Sequence, residues 1–416
     1  MWGVIEGFYG TPWTWEVRAE VCRHLAGHGM DTWIYAPKDD PLHRDRWREP
    51  YGDDFLADLS GMVDSQPMTV GFAVSPGLSL DPDSDSDRRA LLAKLESVQA
   101  AGVRTMGVFF DDIAPVDGLG LAHGRVTAWV REHLDADIAL FMAPLHYTGT
   151  SSVPYLAQLH RTLPAEVPVA WTGCHVVNDT ISTADALAWS RAMGGRKPIL
   201  WDNTPVNDAL MSDRLFMAPL SGRDHDLPDV LGGYLANPMV QARASLPSLV
   251  AAAAWLRGED PAAAFDASLG EAALLAECVH PRRLDALADR AVGADAGAIS
   301  ELTSFFADAV SCGDSGLGDD VRPWVDQVRA EAGVAQLALT VLADPASKRA
   351  GQAALVLLMM WPPLRRAKVS VFGGRGGVRP VMGQDERSEW VPTGDCLTPP
   401  RNVVDRLVEA AFAVLP

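Results

Sequence analysis

The feature that most constrains this chain is an alternation of short β-rich runs with longer segments of helical periodicity, from residue 3 to about residue 257. The β-rich runs lie at residues 4–7, 32–36, 69–75, 105–110, 137–142, 167–172, 198–201 and 232–235. Eight β/α units in about 255 residues match the size and order of a TIM (β/α)8 barrel. The alternative is an open doubly wound sheet, which normally has fewer strands and a glycine-rich phosphate loop that is not found here.

The composition changes after residue 258, where Ala, Leu, Asp and Arg dominate and the periodicity stays helical. We therefore predict an α/β barrel domain over 1–257, followed by an α-helical domain over 258–416. The glycine-rich segment 369–394 is either a surface loop or an arch that folds over a site. If the arch covers the site of a partner protomer, the protein is a homodimer.

Composition excludes several classes of function. The formal net charge of -19 would repel nucleic acid, so no nucleic-acid partner is expected. The longest apolar run, at 353–361, is far too short to span a bilayer, and no signal peptide is seen. The five cysteines lack the spacing of metal ligands, so we expect reduced thiols, no metal site and a cytoplasmic location.

Polar and aromatic residues follow the β-rich runs at the point where each predicted strand ends. Asp111 and Asp112 come directly after the apolar run 105–110. A solvated Asp-Asp turn is the alternative for an isolated pair. In a barrel, however, all these positions converge on the carboxyl-terminal face, where active sites are built. The other strand ends in phase with this pair carry Gly7, Lys38, Tyr147, Thr172, Trp201, Asn203 and Asn237.

This set of side chains suits a pyranose. Asp208, Asn203, Asn237 and Lys38 offer hydrogen bonds to sugar hydroxyls, and Trp201 and Tyr147 offer aromatic surfaces to its C–H faces. Adjacent acids suit a mechanism in which one carboxyl protonates the leaving oxygen and the other holds a nucleophilic group of the substrate. Such substrate assistance requires a 2-acetamido group, and two carboxylates this close are expected to titrate as a coupled pair.

At these positions the chain resembles the family 84 glycoside hydrolases, the β-N-acetylglucosaminidases that include the protein O-GlcNAcases, and we expect a bacterial member. Phe110-Asp111-Asp112-Ile113 and Trp201-Asp202-Asn203 carry the resemblance most directly. The further matching stretches are residues 3–13, 35–40, 43–44, 47–49, 75–77, 171–173, 207–208 and 237–238. They occur in the family's order through the whole predicted barrel, whereas the helical part resembles the family only loosely.

The resemblance implies a role for each matching residue. Asp111 would orient the acetamido group, and Asp112 would act as general acid and then as general base on an oxazoline intermediate. Tyr147 would bind near the acetamide oxygen. The remaining contacts to the sugar would come from Gly7, Lys38, Trp201, Asn203, Asp208 and Asn237. The implied reaction retains the β configuration, needs no metal or cofactor, and acts on a carbohydrate or a glycoprotein.

Two alternatives remain open at this point. One is a non-catalytic sugar-binding barrel, which would need neither Asp111 nor Asp112. The other is the same mechanism acting on a polymer such as hyaluronan. One position also departs from the family's Thr-Glu-Tyr pattern, because this chain has Leu145-His146-Tyr147. His146 is then either a surface histidine or a contact to the aglycone.

Overall fold

The computed structural model describes residues 1–374, 379–397 and 401–415. Its first part is a closed barrel of parallel strands in sequential order, in which β1 pairs with both β2 and β8. The strands are β1 Trp2–Glu6, β2 Thr32–Tyr35, β3 Thr69–Val74, β4 Thr105–Phe109, β5 Ala139–Ala143, β6 Val169–Trp171, β7 Pro198–Asp202 and β8 Gly233–Ala236. The predicted TIM barrel is confirmed, and each observed strand overlaps the β-rich run that predicted it.

Helices connect the strands around the outside of the barrel. They are α1 Trp15–Ala26, α2 Asp53–Ser65, α3 Asp85–Ala100, α4 Leu119–His133, α5 Pro154–Thr162, α6 Thr183–Ala192, α7 Leu227–Val230 and α8 Ala242–Leu256. Side-chain caps define several of the helix starts. In α6, for example, Ser182 and Asp185 form a capping box, in which each side chain accepts a hydrogen bond from the backbone of the other residue.

Side chains that point inward fill the barrel. Because neighbouring residues of a strand point to opposite faces, every second residue of each strand contributes to the interior. The interior cluster consists of Ile5, Ile34, Ala36, Ala73, Phe109, Phe141, Ala143, Ala170, Ile199, Trp201 and Leu235. Phe109 and Trp201 lie near the carboxyl ends of their strands, with ring centroids 5.4 Å apart, and close the interior on that side.

The chain after the barrel is helical, as predicted, with two differences. The helices are α9 Pro261–Ser268, α10 Ala273–Val279, α11 Leu284–Val292, α12 Ala296–Ala309, α13 Arg322–Ala343, α14 Lys348–Leu364 and α15 Val403–Ala413. The sequence pattern did not predict α10, which is short. It also missed an antiparallel hairpin of β9 Arg379–Gln384 and β10 Trp390–Leu397, hereafter the hairpin, because Pro and Gly interrupt the alternation that marks a strand.

The hairpin occupies much of the segment predicted as a loop or an arch. The glycine-rich residues 375–378 of that segment lie outside the described residues. Among the described residues, no helix is long and apolar enough to cross a membrane. The thiols of Cys22, Cys174, Cys278 and Cys312 are free.

Candidate active site

A pocket of about 870 Å³ opens at the carboxyl ends of the barrel strands. All nine residues proposed from the sequence for catalysis and substrate binding line it: Gly7, Lys38, Asp111, Asp112, Tyr147, Trp201, Asn203, Asp208 and Asn237. They come from the carboxyl-terminal ends of six different strands of the barrel, or from the loops that follow those strands. The topology thus brings together residues that are up to 230 positions apart in the sequence, such as Gly7 and Asn237.

Both acids of the Asp-Asp pair face this pocket because the backbone turns at the second of them. Phe110 still continues the ladder beyond β4, since its N–H donates to the Ala143 carbonyl at 2.8 Å. Asp112 has a φ of 55°, in the left-handed region that non-glycine residues rarely adopt. The Arg44 guanidinium donates to the Asp112 carbonyl at 3.0 Å and holds this turn. On a regular strand the two side chains would point to opposite faces.

Asp111 is buried at the base of the pocket, and only one of its two carboxylate oxygens accepts a hydrogen bond from the described residues. Its Oδ2 accepts a hydrogen bond from the Lys38 ammonium at 2.5 Å, and both side chains are almost fully buried. Its Oδ1 is also buried but has no hydrogen-bond partner among the described residues. Because a buried carboxylate oxygen without a donor is costly, this atom is suited to accept an N–H from a ligand.

Asp112 accepts hydrogen bonds from two tyrosines. Tyr147 donates its hydroxyl to Oδ1 at 2.6 Å, and Tyr9 donates its hydroxyl to Oδ2 at 2.8 Å. Burial, and then the neighbouring Asp112 charge, raise the pKa of both phenols well above the ordinary value. Both tyrosines are therefore neutral donors at ordinary pH, and together they hold the Asp112 carboxyl in one orientation.

Another part of the pocket lining consists of two linked amides. Asn237 donates to Asn203 Oδ1 at 2.9 Å and accepts from the Gly7 N–H at 3.2 Å. Asn203 in turn donates to the Val176 carbonyl at 2.8 Å. These bonds fix the rotamers of both amides, and each NH₂ keeps a second hydrogen for a ligand.

The loop after β1 passes directly over the Trp201 ring. A Cβ atom at Gly7 would lie 2.4 Å from Cζ2 of Trp201, so a larger residue would displace one of the two. Trp201 is only 6% exposed, and the Lys38 ammonium lies 5.7 Å from its ring centroid. The ring is thus fixed as a rigid apolar surface beside the buried ion pair, which suits the C–H face of a sugar.

Asp208, in the loop after β7, is another carboxylate of the pocket lining. Its Oδ2 accepts the Tyr9 N–H at 2.8 Å, which links it to the loop that also carries the Tyr9 hydroxyl. Burial raises the pKa of Asp208 above its ordinary value, and this backbone hydrogen bond opposes the shift. The Asp208 carboxyl has further lone pairs that can accept hydrogen bonds from sugar hydroxyls.

Sequence reasoning missed two residues that hold the acid pair, Tyr9 and Arg44. Both lie in stretches already noted for their resemblance to the family, residues 3–13 and 43–44, but nothing in the sequence indicates which of these side chains reach Asp112. Their roles depend on loop conformations that only the folded barrel defines. The position of Tyr9 after β1, in phase with the other strand ends, was the one available signal.

The hairpin covers one side of the pocket of its own chain. Val381, Met382 and Trp390 line the pocket, and the Trp390 ring packs edge-on against Tyr147, with centroids 5.7 Å apart. Of the two interpretations of this segment, the structure thus favours the arch over a surface loop. The residues involved were not predicted from the sequence, because they follow no barrel strand.

His146 is neither a surface histidine nor part of the pocket lining. It is buried beneath the turn of the hairpin, and its Nδ1 lies 3.1 Å from the Ser388 hydroxyl. Burial lowers the pKa of His146 to about 4, so the ring is neutral at ordinary pH. The surface interpretation is wrong, because the hairpin that covers this residue was not recognised in the sequence.

A family model described as β-N-acetylglucosaminidase matches residues 2–289, which include the whole barrel and all nine proposed residues. This chain belongs to that family. The resemblance found in the sequence is therefore confirmed.

Among the described residues, no group of three or more His, Cys, Asp or Glu side chains is arranged to hold a metal ion.

Curated relatives agree with this assignment, and a solved structure shows the same fold. The protein O-GlcNAcases of Rattus norvegicus and Mus musculus are each 32% identical over 273 residues, which cover 61% of this chain. This chain matches only 30% of the length of each of these relatives. A mutant of the Thermobaculum terrenum O-GlcNAc hydrolase has the same fold, with a TM-score of 0.82, 23% identity and coverage of 99% of this chain and 93% of that one.

Proposed function

We propose that this protein is a retaining glycoside hydrolase that removes terminal β-linked N-acetylglucosamine by substrate-assisted catalysis. One observation carries the proposal: adjacent carboxyls face the same pocket, and they differ in their hydrogen bonds. Asp111 keeps a buried oxygen without a donor, whereas Asp112 is held by two phenol donors. This difference matches a division of labour between a carboxylate that binds an N–H and one that transfers a proton.

In the first step, the acetamide of the substrate is the nucleophile. Its N–H donates to Asp111 Oδ1, while the Lys38 ammonium holds Oδ2 in place. The acetamide oxygen then attacks the anomeric carbon, and the bond to the leaving oxygen breaks as Asp112 donates its proton to that oxygen. The product is a bicyclic oxazoline in its protonated, oxazolinium form, with the α configuration at the anomeric carbon and its N–H still hydrogen-bonded to the Asp111 carboxylate.

In the second step, Asp112 acts as the base. It removes a proton from a water molecule that attacks the anomeric carbon from the β face, and the ring bond to the acetamide oxygen breaks. Two inversions give net retention. While Asp112 carries the proton it has less need of both phenol donors, so the Tyr147 hydroxyl is available to bind the acetamide oxygen.

The other side chains of the pocket bind the sugar ring. Trp201 offers its ring to the C–H face, Asn203 supports the acetamido end, and Lys38 and the Gly7 carbonyl lie toward the O3 hydroxyl. Asp208 and Asn237 are assigned to the O4 and O6 hydroxyls at the far end. The pocket supports this arrangement, because all of these residues line it together with the acid pair.

The chemistry is tested by comparing an aryl β-N-acetylglucosaminide with its N-acetylgalactosamine epimer and with a thiazoline analogue of the oxazoline. We expect hydrolysis of the first, slower hydrolysis of the axial O4 epimer because it misplaces a bond to Asp208, and tight competitive inhibition by the thiazoline. A thiazoline that does not inhibit at high concentration would contradict the acetamide nucleophile. Absence of any hydrolysis would favour the non-catalytic sugar-binding barrel.

A further inference from the structure

The pocket is larger than the sugar that the acid pair acts on. Its volume of about 870 Å³ lies near the upper end of the roughly 300–1,000 Å³ that is typical of small-molecule sites. One N-acetylhexosamine therefore fills only part of it. The remaining space must receive the aglycone, the group that leaves with the glycosidic oxygen.

The outer part of the pocket differs in chemistry from the base. The base has Asp111 and Trp201, each 6% exposed, whereas the outer part has Leu210 at 81% exposure and Met382 and Trp390 at 37% each. Leu210, Met382 and Trp390 belong to an apolar part of the lining that comes from three segments of the chain. Its members are Val176, Val177, Leu210, Met211, Phe216, Val381, Met382 and Trp390.

Fixed contacts hold the hairpin side of this apolar lining in place. The Gln384 amide accepts from the Tyr147 N–H at 3.0 Å and donates to the Leu145 carbonyl at 2.8 Å, so it pairs with the loop after β5. The contact between Ser388 and His146 fixes the turn of the hairpin in the same way. Met382 and Trp390 are therefore held in place on one side of the pocket, which we call the wall.

The charges in the pocket exclude one class of aglycone. Among the described lining residues, the acids are Asp111, Asp112, Asp179 and Asp208, and the basic side chains are Lys38 and Arg214. Lys38 is already paired with Asp111. Since acids outnumber basic groups and the whole chain carries a net charge of -19, an anionic polymer would be repelled on approach.

We infer that the outer part of the pocket is an aglycone site for uncharged, apolar groups, with the hairpin as one of its walls. This inference rests on the proposed function and narrows it. It disfavours hyaluronan, whose aglycone is a glucuronate. Two kinds of substrate share the favoured chemistry: alkyl glycosides, and glycopeptides with apolar residues beside the glycosylated side chain.

The inference is tested with methyl and hexyl β-N-acetylglucosaminides, whose leaving alcohols are chemically alike. We expect kcat/KM to be about tenfold or more higher for the hexyl glycoside, because the wall buries the additional methylenes. Met382→Ser and Leu210→Ser should each lower this hexyl-to-methyl ratio at least about threefold. Leu210 is exposed, so its substitution leaves the fold intact.

Met359→Ser is the matched control. Met359 is an exposed methionine of α14 outside the pocket lining, and its substitution should leave the ratio unchanged. Equal kcat/KM values for the two glycosides in the wild type would overturn the inference and leave the proposed function standing. Hydrolysis of neither glycoside would overturn the proposed function, and the inference with it.

A second pair of substrates identifies the source of the apolar group. Two serine-linked glycopeptides, one with leucines and one with glutamates on both sides of the serine, have the same leaving group. Faster hydrolysis of the leucine peptide supports a peptide aglycone, and a preference confined to the hexyl glycoside supports an alkyl one. A preference for the glutamate peptide or for a glucuronate-linked glycoside would overturn the inference.

Discussion

Replacing each of the two acids by asparagine should have a different effect on activity. Asp112→Asn removes the proton donor but leaves the acetamide in place. We expect kcat/KM for methyl β-N-acetylglucosaminide to fall about 10²–10⁴-fold, and the 4-nitrophenyl glycoside, whose leaving group needs less protonation, to lose considerably less. Kinetics on the two substrates decide the point. Equal losses on both would contradict the assignment of Asp112 as general acid.

Asp111→Asn should instead slow both substrates to a similar extent. Its Oδ1 accepts the acetamide N–H, so the loss affects how the nucleophile is placed, whatever the leaving group. The substitution also leaves the buried Lys38 ammonium without its counter-charge, so the folded state must be checked by circular dichroism. A loss confined to the methyl glycoside would mean that the roles of the two acids are reversed.

At the scale of single residues, the sequence predicts which side chains reach the pocket better than it predicts their partners. Eight of the nine proposed residues could be found because each lies at or just beyond the end of a β-rich run, and strand ends converge in a barrel. Asp208 lies farther along the loop after β7 and was proposed as a partner for sugar hydroxyls. The bonds of Tyr9 to Asp112 and to Asp208 could not be found, since they depend on loop conformation. The same holds for the left-handed backbone of Asp112.

At the scale of elements, the hairpin connects the C-terminal region to the acid pair. Gln384 pairs with the backbone around Tyr147, whose hydroxyl holds Asp112. Gln384→Ala removes these bonds and leaves buried polar groups of the loop without partners, at a cost of about 1–3 kcal/mol. We expect hydrogen exchange of the amides at 381–391 to become about 5- to 100-fold faster, and the aglycone preference to weaken.

Glu386→Ala is the control for this prediction, because Glu386 is exposed in the same turn. It should change neither the exchange rates nor the preference. Unchanged exchange in Gln384→Ala would show that the hairpin is held mainly by its apolar contacts with the pocket rim and with Tyr147.

The barrel strands and the hairpin also show how far elements can be predicted. Strands buried on both faces give continuous apolar runs, and those runs predicted all eight strands of the barrel. In the hairpin, Gly383 and Pro392 interrupt the alternation, and Trp390 is exposed at the pocket. Pairing between β9 and β10 and contact with the barrel define these strands, and neither is visible in a local pattern.

At the scale of the whole molecule, buried histidines predict a loss of stability in acid. Burial lowers the pKa of His123 to about 3, from an ordinary value of 6.5. The unfolded chain therefore binds a proton below about pH 6.5 that the folded state refuses until about pH 3, so stability falls as the pH drops through this range. The expected contribution of His123 is about 2 kcal/mol between pH 7 and pH 5.

Denaturant unfolding at both pH values measures this contribution, with His123→Gln as the comparison. The variant cannot titrate, so its stability should depend less steeply on pH, even though it loses the contact with Tyr155 and is less stable at pH 7. If the free energy of unfolding depends on pH equally in the wild type and the variant, the acid sensitivity belongs to other groups. One such group is His43, which is also buried and has a pKa of about 3.

The contacts between the barrel and the C-terminal region predict that they unfold together. The boundary at residue 257 stays a prediction from composition, and one apolar cluster extends across it. The carbonyl of Asp213, in the loop after β7, accepts hydrogen bonds from the Ser370 N–H at 2.7 Å and from the Trp324 indole at 3.1 Å. Trp324 belongs to α13 and is buried.

Calorimetry should therefore give a single transition, because each part buries surface that the other would expose if it unfolded alone. Trp324→Ala should lower the stability of that one transition by about 3–5 kcal/mol, as expected for a buried tryptophan. Leu355→Ser, at an exposed position of α14, should change it by less than about 0.5 kcal/mol. Two separate transitions in the wild type, of which Trp324→Ala shifts only that of the C-terminal region, would instead mean that the barrel folds alone. The hairpin would then cover a site that is already complete without it.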